Sequence, residues 1–453
     1  MGKITRLLLV HSSHYDDQGK VVRADRLIDK LSVANVVHSA LPYLAAYVSP
    51  EIEMELVEDC FEDVNYDDPA EVVAISAQVM QIRRALDLAA EFRKRGKIVL
   101  MGGYLASMHP DLVAPHVDAL CIGDGDQVFP QMLKDIENGS LKKIYQGTSE
   151  VPLDNIPTPR YDLIKKDRTV LYPIHATRGC PFKCDYCSII QFHGHTYRHR
   201  PVAHVIRDIK AAKKHSLLNL IFFSDDNLME DFEYAKELFR QMIPLKVVWG
   251  TQTTINIHKD RELLELAYKA GCRWVALGME SLSQANLNQV NKGFNRADKF
   301  AEQIAQIQDV GIAVHALIMF GLEQDTPAVF DDTLRYLEEL NITIAEFFIN
   351  TPYPATPAGR QALQSGVIID GDLSHYREGY VVFKHPHMDA ETIMKNFWRV
   401  LREFYSIKNI LRRWLKSTYK NKIYHLTNSF YYWLKIKRNI VPVYFGAGNQ
   451  KID

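Results

Sequence analysis

Val170-Leu-Tyr-Pro-Ile-His-Ala-Thr-Arg-Gly-Cys-Pro-Phe-Lys-Cys-Asp-Tyr-Cys187 is the stretch on which the reading of this chain turns. Its first half, Val170 to Thr177, is mostly apolar and reads as a buried strand. Its second half sets Cys180, Cys184 and Cys187 four and then three residues apart, so one loop can wrap three thiolates around an iron–sulfur cluster. Three thiolates leave one corner of a four-iron cubane without a protein ligand, and an open corner can bind a small molecule. Zinc is the alternative, with His193 or His195 as fourth ligand, but structural zinc motifs usually come as two paired half-sites. The other three cysteines, Cys60, Cys121 and Cys272, are scattered and read as small core residues.

Downstream of this loop, five more apolar runs read as strands: Leu220–Phe223, Val247–Thr251, Arg273–Leu277, Ala313–Met319 and Ala345–Ile349. Helical segments such as Glu233–Met242 and Arg261–Ala270 separate them. Six βα units predict an open (β/α)6 partial TIM barrel over residues 171–350, with its site at the strand carboxyl ends. Ser224-Asp225-Asp226-Asn227 falls at such an end, and a carboxylate there can accept hydrogen bonds from an ammonium. The alternative for Asp225 and Asp226 is a helix cap ahead of Met229–Leu238. Thr251, Gln252 and Thr253 end the third strand. Gly278-Met-Glu-Ser281 ends the fourth, making Glu280 and Ser281 polar candidates, again with capping as the alternative. Gly321 follows the fifth strand, and Tyr353 and Pro354 after the sixth are placed at the substrate mouth. His175, His193, His195 and His199 surround the cysteine loop, where each could donate a proton or simply be an ordinary core or surface histidine.

Upstream, residues 1–145 alternate between strands and helices. Ile4–Val10, Val72–Ser76, Lys97–Met101 and Val117–Ile122 are the strands, and Met80–Arg95 is a helix. This predicts a doubly wound, Rossmann-like parallel sheet. Gly102-Gly103 and Gly123-Asp-Gly-Asp126 place turns at strand carboxyl ends, where such sheets bind ligands. Residues 146–170, with Pro152, Pro157 and Pro159, read as a linker. The 453 residues carry a net charge of −1 and no apolar run long enough to span a bilayer, so nucleic acid is not the expected partner and the cytoplasm is the expected location.

Residues 351–453 read as a helical extension. From Phe404 to Ile452 there is no acidic residue. Lys408, Arg412, Arg413, Lys416, Lys420, Lys422, Lys435, Lys437 and Arg438 are interleaved with Tyr405, Trp414, Tyr419, Tyr424, Phe430, Tyr431, Tyr432 and Trp433. Such a segment either caps the barrel or also touches an anionic membrane or a hydrophobic substrate. RNA stacking is a further alternative.

The Cys-x-x-x-Cys-x-x-Cys motif, with Tyr186 just before its last cysteine, resembles the signature of the radical S-adenosylmethionine (SAM) superfamily. That resemblance implies a 4Fe–4S cluster on Cys180, Cys184 and Cys187, with the methionine end of SAM on the fourth iron. One-electron reduction, by an external donor of flavodoxin or ferredoxin type, then releases a 5′-deoxyadenosyl radical. It further implies Tyr186 near the adenine, Asp225 or Asp226 at the SAM amino group, Glu280 and Ser281 at its carboxylate or ribose, and Gly321 beside the adenine ring. Leu41–Tyr47, Ile75-Ser76, Met101-Gly-Gly103 and Gly123–Asp126 together resemble the cobalamin-binding domain that precedes many radical SAM domains, which implies a corrinoid at Gly102, Gly103, Gly123 and Gly125. The Asp-x-His-x-x-Gly element that gives cobalt a lower histidine is replaced by His11-Ser-Ser-His-Tyr-Asp-Asp-Gln-Gly19, so no lower histidine is expected. The implied function is methylation of an unactivated carbon in a lipid, isoprenoid or tetrapyrrole. Corrinoid-free oxidation, cyclisation or rearrangement is the runner-up, and an iron–sulfur or corrinoid sensor the non-enzymatic alternative. A sensor would need an effector domain, and none is legible. Methylthiolation of tRNA would need more cysteines in the first domain than Cys60 and Cys121.

Overall fold

The computed structural model describes residues 3–24, 38–165, 169–377, 379–417 and 422–442. Tyr419, Lys420 and the Tyr424 side chain lie outside the described residues. Two six-stranded, all-parallel sheets dominate. The first contains β1 (Arg6–His11), β2 (Glu53–Glu58), β3 (Val72–Ser76), β4 (Ile98–Gly102), β5 (Ala119–Ile122) and β6 (Ile144–Gln146), in the order β2-β1-β3-β4-β5-β6. Side chains alternate across it, as the two-residue period of a strand requires. Leu8, Val10, Val73 and Ile75 pack on one face under helix α2 (Ile82–Lys94). Leu7, Leu9 and Ala74 pack on the other under α1 (Ala40–Ala45) and α3 (Gly125–Glu137). Helices on both faces explain why every residue of β3 is buried.

Strands β2 and β6 are additional to the four read from sequence. Glu53-Met-Glu-Leu-Val-Glu58 carries three carboxylates and fits only as an edge strand, and β6 has three residues, too few for a periodic signal. The segment read as a linker is packed. Leu153, Ile156, Tyr161 and Ile164 are buried, with Leu153 and Ile156 against Tyr43 of α1.

The second sheet runs β14-β13-β12-β11-β10-β7. Its strands are β7 (Tyr172–Ile174), β10 (Leu220–Phe223), β11 (Val248–Thr253), β12 (Cys272–Glu280), β13 (Ala313–Phe320) and β14 (Ile344–Ile349). The run read as one strand from 171 to 177 divides. After β7 the chain turns, and β8 (Thr177–Gly179) pairs antiparallel with β9 (Tyr197–His199). The cysteine loop is therefore held inside a two-stranded hairpin.

After the barrel and the short helix Pro357–Gln364 come α9 (Ala390–Phe404), α10 (Ile407–Lys416) and α11 (Lys422–Lys437). α11 lies beside edge strand β14. Tyr432 donates its hydroxyl to Glu346 at 3.0 Å, the Ser429 hydroxyl reaches the Thr343 carbonyl at 3.4 Å, and His425 Nδ1 lies 3.0 Å from the Thr343 hydroxyl. His425, Tyr431, Tyr432, Lys435 and Ile436 are buried, so the aromatic-rich helix spends much of its surface on the barrel.

Candidate active site

Gly179 ends β8 with φ +83°, and a β-carbon there would lie 2.1 Å from the Thr196 carbonyl oxygen. Only glycine lets the hairpin close at this point, and Cys180 follows directly. The three cysteines are free thiols. Burial pushes Cys180 up to about 11 and Cys187 up to about 12, and it raises Cys184 as well, so loading a metal cluster must drive off protons. Among the described residues no group of His, Cys, Asp and Glu side chains gathers around a single-ion site. His193 turns instead toward Asp124, at 3.1 Å, and toward Asp226, at 3.8 Å, while His195 is exposed. The residues thus fit three corners of a cubane, whose thiolates sit on separate irons, better than zinc.

Each carboxylate after β10 has its own task. Asp225 is buried and accepts hydrogen bonds from the Ala176 amide at 3.0 Å, the Thr177 hydroxyl at 2.7 Å and the Thr177 amide. Its second oxygen has no protein partner, and burial pushes its carboxyl up to about 7. Asp226 accepts from the Gly179 amide at 2.9 Å and faces the inter-sheet cavity described below. Neither caps the next helix, α5 (Phe232–Met242, counting α4 as Val202–Lys213). Asp231 does that by accepting from the Tyr234 amide. Ser283 likewise caps Gln284–Gln289, which frees Glu280 and Ser281 from that role.

Glu280 adopts φ +64°, an uncommon conformation for a residue with a β-carbon. Its carboxylate accepts from the Tyr186 hydroxyl at 2.9 Å and from Lys292 at 2.7 Å, and Lys292 lies 3.1 Å from that hydroxyl. Lys292, which sequence reading missed, is a buried cation beside the cysteine loop. Its signal was faint, a lysine twelve residues past the end of a strand in an ordinary polar run. Ser281 accepts from the Ser283 amide at 3.1 Å and from Asn286 at 3.3 Å. Gly321 forms a turn closed by Asp325, which accepts its amide at 2.9 Å. Tyr353 donates to the Tyr376 carbonyl at 3.0 Å.

A cavity of about 460 Å³ lies between the carboxyl ends of the two sheets. Gly102, Gly103, Gly123 and Gly125 line it from the first sheet, Ser224, Asp226 and Gln252 from the second, and Thr177 from the hairpin strand β8. Cys180, Cys184, Cys187, Tyr186, Asp225, Glu280, Ser281 and Gly321 lie outside its lining. One end of the cavity is an apolar slot between the first sheet and its helices, bounded by Leu41, Leu44, Ala74, Leu100, Cys121, Phe129 and Met132. A β-carbon on Gly125 would stand 3.1 Å from Leu44, and one on Gly103 would stand 2.8 Å from the Ala77 carbonyl, so the slot depends on bare backbone. An apolar slot opening into a wide polar gap suits a large amphipathic cofactor such as a corrinoid. His11, which ends β1, also lines the cavity. Its Nδ1 is 2.8 Å from Glu58, and its ring stacks on His38 at 4.1 Å.

Asp124 and Asp126 do more than shape a turn. Arg198 donates to Asp124 at 2.7 Å, and Arg178 reaches Asp124 at 3.5 Å and Asp126 more closely. Burial alone would raise the Asp124 carboxyl, but the His193 hydrogen bond and the Arg178 charge hold it well below the usual carboxylate range. The ring of Tyr104, just after Gly103, stacks on Phe192 at 4.7 Å. The first sheet is thus clasped to the cysteine loop.

Residues 174–337 match the family model described as the radical SAM superfamily. The bacteriochlorophyllide d C-8(2)-methyltransferase of Chlorobaculum tepidum is 30% identical over 397 residues, covering 83% of this chain and 87% of the relative. The bacteriochlorophyllide d C-12(1)-methyltransferase of the same organism is 27% identical, covering 76% of each. Among solved structures, the radical SAM methyltransferase TsrM of Kitasatospora setae, with cobalamin and a 4Fe–4S cluster bound, superposes with a TM-score of 0.68 at 15% identity, covering 96% of this chain and 99% of that one. A three-cysteine loop hung from the first strand of an open parallel barrel, and a relative this similar along nearly its whole length, place the chain in one family: it belongs to the radical SAM superfamily.

Proposed function

We propose that this chain is a cobalamin-dependent radical SAM methyltransferase acting on an unactivated carbon of a tetrapyrrole. The observation that carries this is the shared cavity, which joins the apolar slot of the first sheet to the face of the barrel that carries the cysteine loop. The C. tepidum relatives are named for methylating bacteriochlorophyllide. When bound, the 4Fe–4S cluster with SAM supplies hydrogen-atom abstraction, and cobalamin supplies a transferable methyl group.

The chain's own residues do the rest. Cys180, Cys184 and Cys187 hold the cluster. Glu280 and Lys292, an acid and a base fixed beside Tyr186, match the ammonium and carboxylate of an amino acid, and Asp226 offers a further acceptor. Gly102, Gly103, Gly123 and Gly125 keep side chains out of the corrinoid's path. A flavodoxin- or ferredoxin-type donor in the cytoplasm supplies the electron. The amino end of the barrel touches an anionic membrane, a reading supported by the exposed leucines, isoleucines and lysines of that end.

Anaerobic reconstitution tests the assignment. The protein should take up one 4Fe–4S cluster, form 5′-deoxyadenosine from SAM under reduction, and retain hydroxocobalamin through gel filtration. Replacing all three cysteines with alanine should abolish the first two and spare the third. Full iron in that triple variant would overturn the cluster assignment. Protein that stays corrinoid-free would move the reaction to oxidation or cyclisation.

A further inference from the structure

The polar run after β10 ends in Asn227, an amide behind two acids. It is only 1% exposed, and each half of its amide has two partners. Its Oδ1 accepts from the Thr253 hydroxyl at 3.1 Å and from the Thr254 backbone amide at 3.3 Å, at the end of β11. Its Nδ2 donates to Glu230 at 2.9 Å and faces the Cys180 sulfur at 3.9 Å. The Thr254 hydroxyl also reaches Glu230, at 3.3 Å. These partners leave the amide one orientation. The Thr254 N–H can only donate, so Oδ1 must face it, and a rotated amide would set Oδ1 against the Glu230 carboxylate and the sulfur. An N–H is therefore aimed at Cys180 by a neighbouring strand rather than by the cysteine loop itself.

We infer that Asn227 donates a hydrogen bond to the Cys180 thiolate that raises the reduction potential of the cluster, with Thr253 as the residue that aims it. This rests on the cluster assignment above and adds to it a residue that tunes the electron's entry. Both are positioning residues, acting through the sulfur. A metal-bound thiolate is a stronger acceptor than a free thiol, because the donor meets negative charge. A donor fixed at one sulfur favours the form of the cluster that carries more negative charge, which is the reduced one. Hydrogen bonds to sulfur stand with net charge and solvent exposure among the means a protein has of setting such a potential. An acid at position 227 would act in the opposite direction, adding a carboxylate beside Asp226 and Glu230.

A redox titration of full-length protein with its cluster reconstituted, in the absence of SAM, tests this by electron paramagnetic resonance. Asn227→Leu keeps the volume and removes the donor. At a fixed potential its ratio of reduced to oxidised cluster should fall about tenfold, the scale of one hydrogen bond to a charged group. For a one-electron couple that is about 59 mV. Thr253→Val, which removes the hydroxyl that orients the amide, should lower the midpoint by less. Electron–nuclear double resonance of the reduced cluster should show one exchangeable proton coupling fewer in Asn227→Leu than in wild type. Unchanged iron content and melting temperature separate tuning from misfolding. A wild-type midpoint in Asn227→Leu at full iron content overturns the inference, and so does a lowered midpoint with every exchangeable coupling retained. If Asn227→Leu loses its iron, Thr253→Val decides, since a wild-type midpoint there overturns the aiming and a lowered one supports it. Wild-type protein that takes up no cluster would instead overturn the assignment on which this rests.

Discussion

Gly179 is the residue on which the site hangs. Alanine there would drive a β-carbon to 2.1 Å from the Thr196 carbonyl and force φ +83° on a residue that resists it. Either the hairpin opens or the strain is kept, at roughly 1–3 kcal/mol. Gly179→Ala should therefore keep its far-UV circular dichroism, melt earlier and take up less than half the wild-type iron. Wild-type iron content would show that the hairpin does not position Cys180. Asp225, two residues into the next loop, gives a pH signature. Its carboxyl ionises at about 7 in the fold against 3.8 in the free state, with burial as the leading cause. The unfolded chain therefore loses its proton first as pH rises. Stability should fall between pH 4 and 7 and level off above, by up to about 1.4 kcal/mol for each unit of displacement. Denaturant titrations of apoprotein at pH 5 and pH 8 should show a larger difference for wild type than for Asp225→Asn. Equal slopes for the two proteins would contradict this account.

At the scale of elements, the parts with strong periodic signals were legible and the parts fixed by long-range pairing were not. All six barrel strands could be located because they lie in apolar runs, which a sheet covered on both faces demands, although the first was read three residues too long at its carboxyl end. The hairpin of β8 and β9 was hidden, because Thr177-Arg-Gly179 and Tyr197-Arg-His199 are three residues each and polar. The basic, aromatic C-terminal run was read as a helical cap or an interfacial helix. The fold uses α11 chiefly as a cap, and nothing local in its composition could have revealed that Thr343 and Glu346 await it. Burial lowers His425 to about 4, beside His315, whose ring lies 6.2 Å away and is also pushed down by burial. Both are neutral in the fold. Stability from this contact is complete above the free-histidine range near 6.5 and is lost as pH falls toward 4, the reverse of the Asp225 trend. Trp433 fluorescence and limited proteolysis should report loosening of α11 over that window, and His425→Gln should blunt it. Identical pH profiles in both proteins would remove His425 from the account.

Over the whole molecule, sequence motifs located the turns at the strand carboxyl ends but not the clasp between the two sheets. Gly123-Asp-Gly-Asp126 was legible as a turn after the fifth strand of the first sheet. That its two aspartates also hold Arg178 and Arg198, 52 and 74 residues away, depends on the carboxyl end of the first sheet facing the hairpin that carries the cysteine loop. The same assembly defines an opposite end. All six barrel strands are parallel, so the loops entering β10 and β11 and the end of α8 (Val329–Glu339, counting α6 as Arg261–Lys269 and α7 as Phe300–Asp309) share the amino side. Leu217 at 85% exposure, Leu218 and Ile243 protrude from those loops, with Lys214 and Lys246 exposed beside them. Arg412 and Lys416 of α10 pair with Glu338 at the end of α8, which brings that helix to the same side. Its Ile407, Leu411 and Leu415 form an exposed row at four-residue spacing, and Ile423 is 75% exposed. Apolar side chains set among lysines suit an anionic bilayer, where each basic residue near the surface contributes on the order of 1 kcal/mol, screened over ~10 Å at 0.1 M salt. No helix among the described residues is long and apolar enough to cross a membrane, so the contact would be peripheral. Truncating the extension is a poor test, since α11 helps close the barrel. Leu217→Ser/Leu218→Ser and Leu411→Ser/Leu415→Ser variants leave that helix in place. Full-length protein should co-sediment with phosphatidylglycerol vesicles at low salt, release at high salt and ignore phosphatidylcholine vesicles. Each double variant should bind several-fold more weakly at unchanged melting temperature. Equal recovery in the supernatant with and without anionic lipid would end the membrane reading and leave these side chains as ordinary exposed surface.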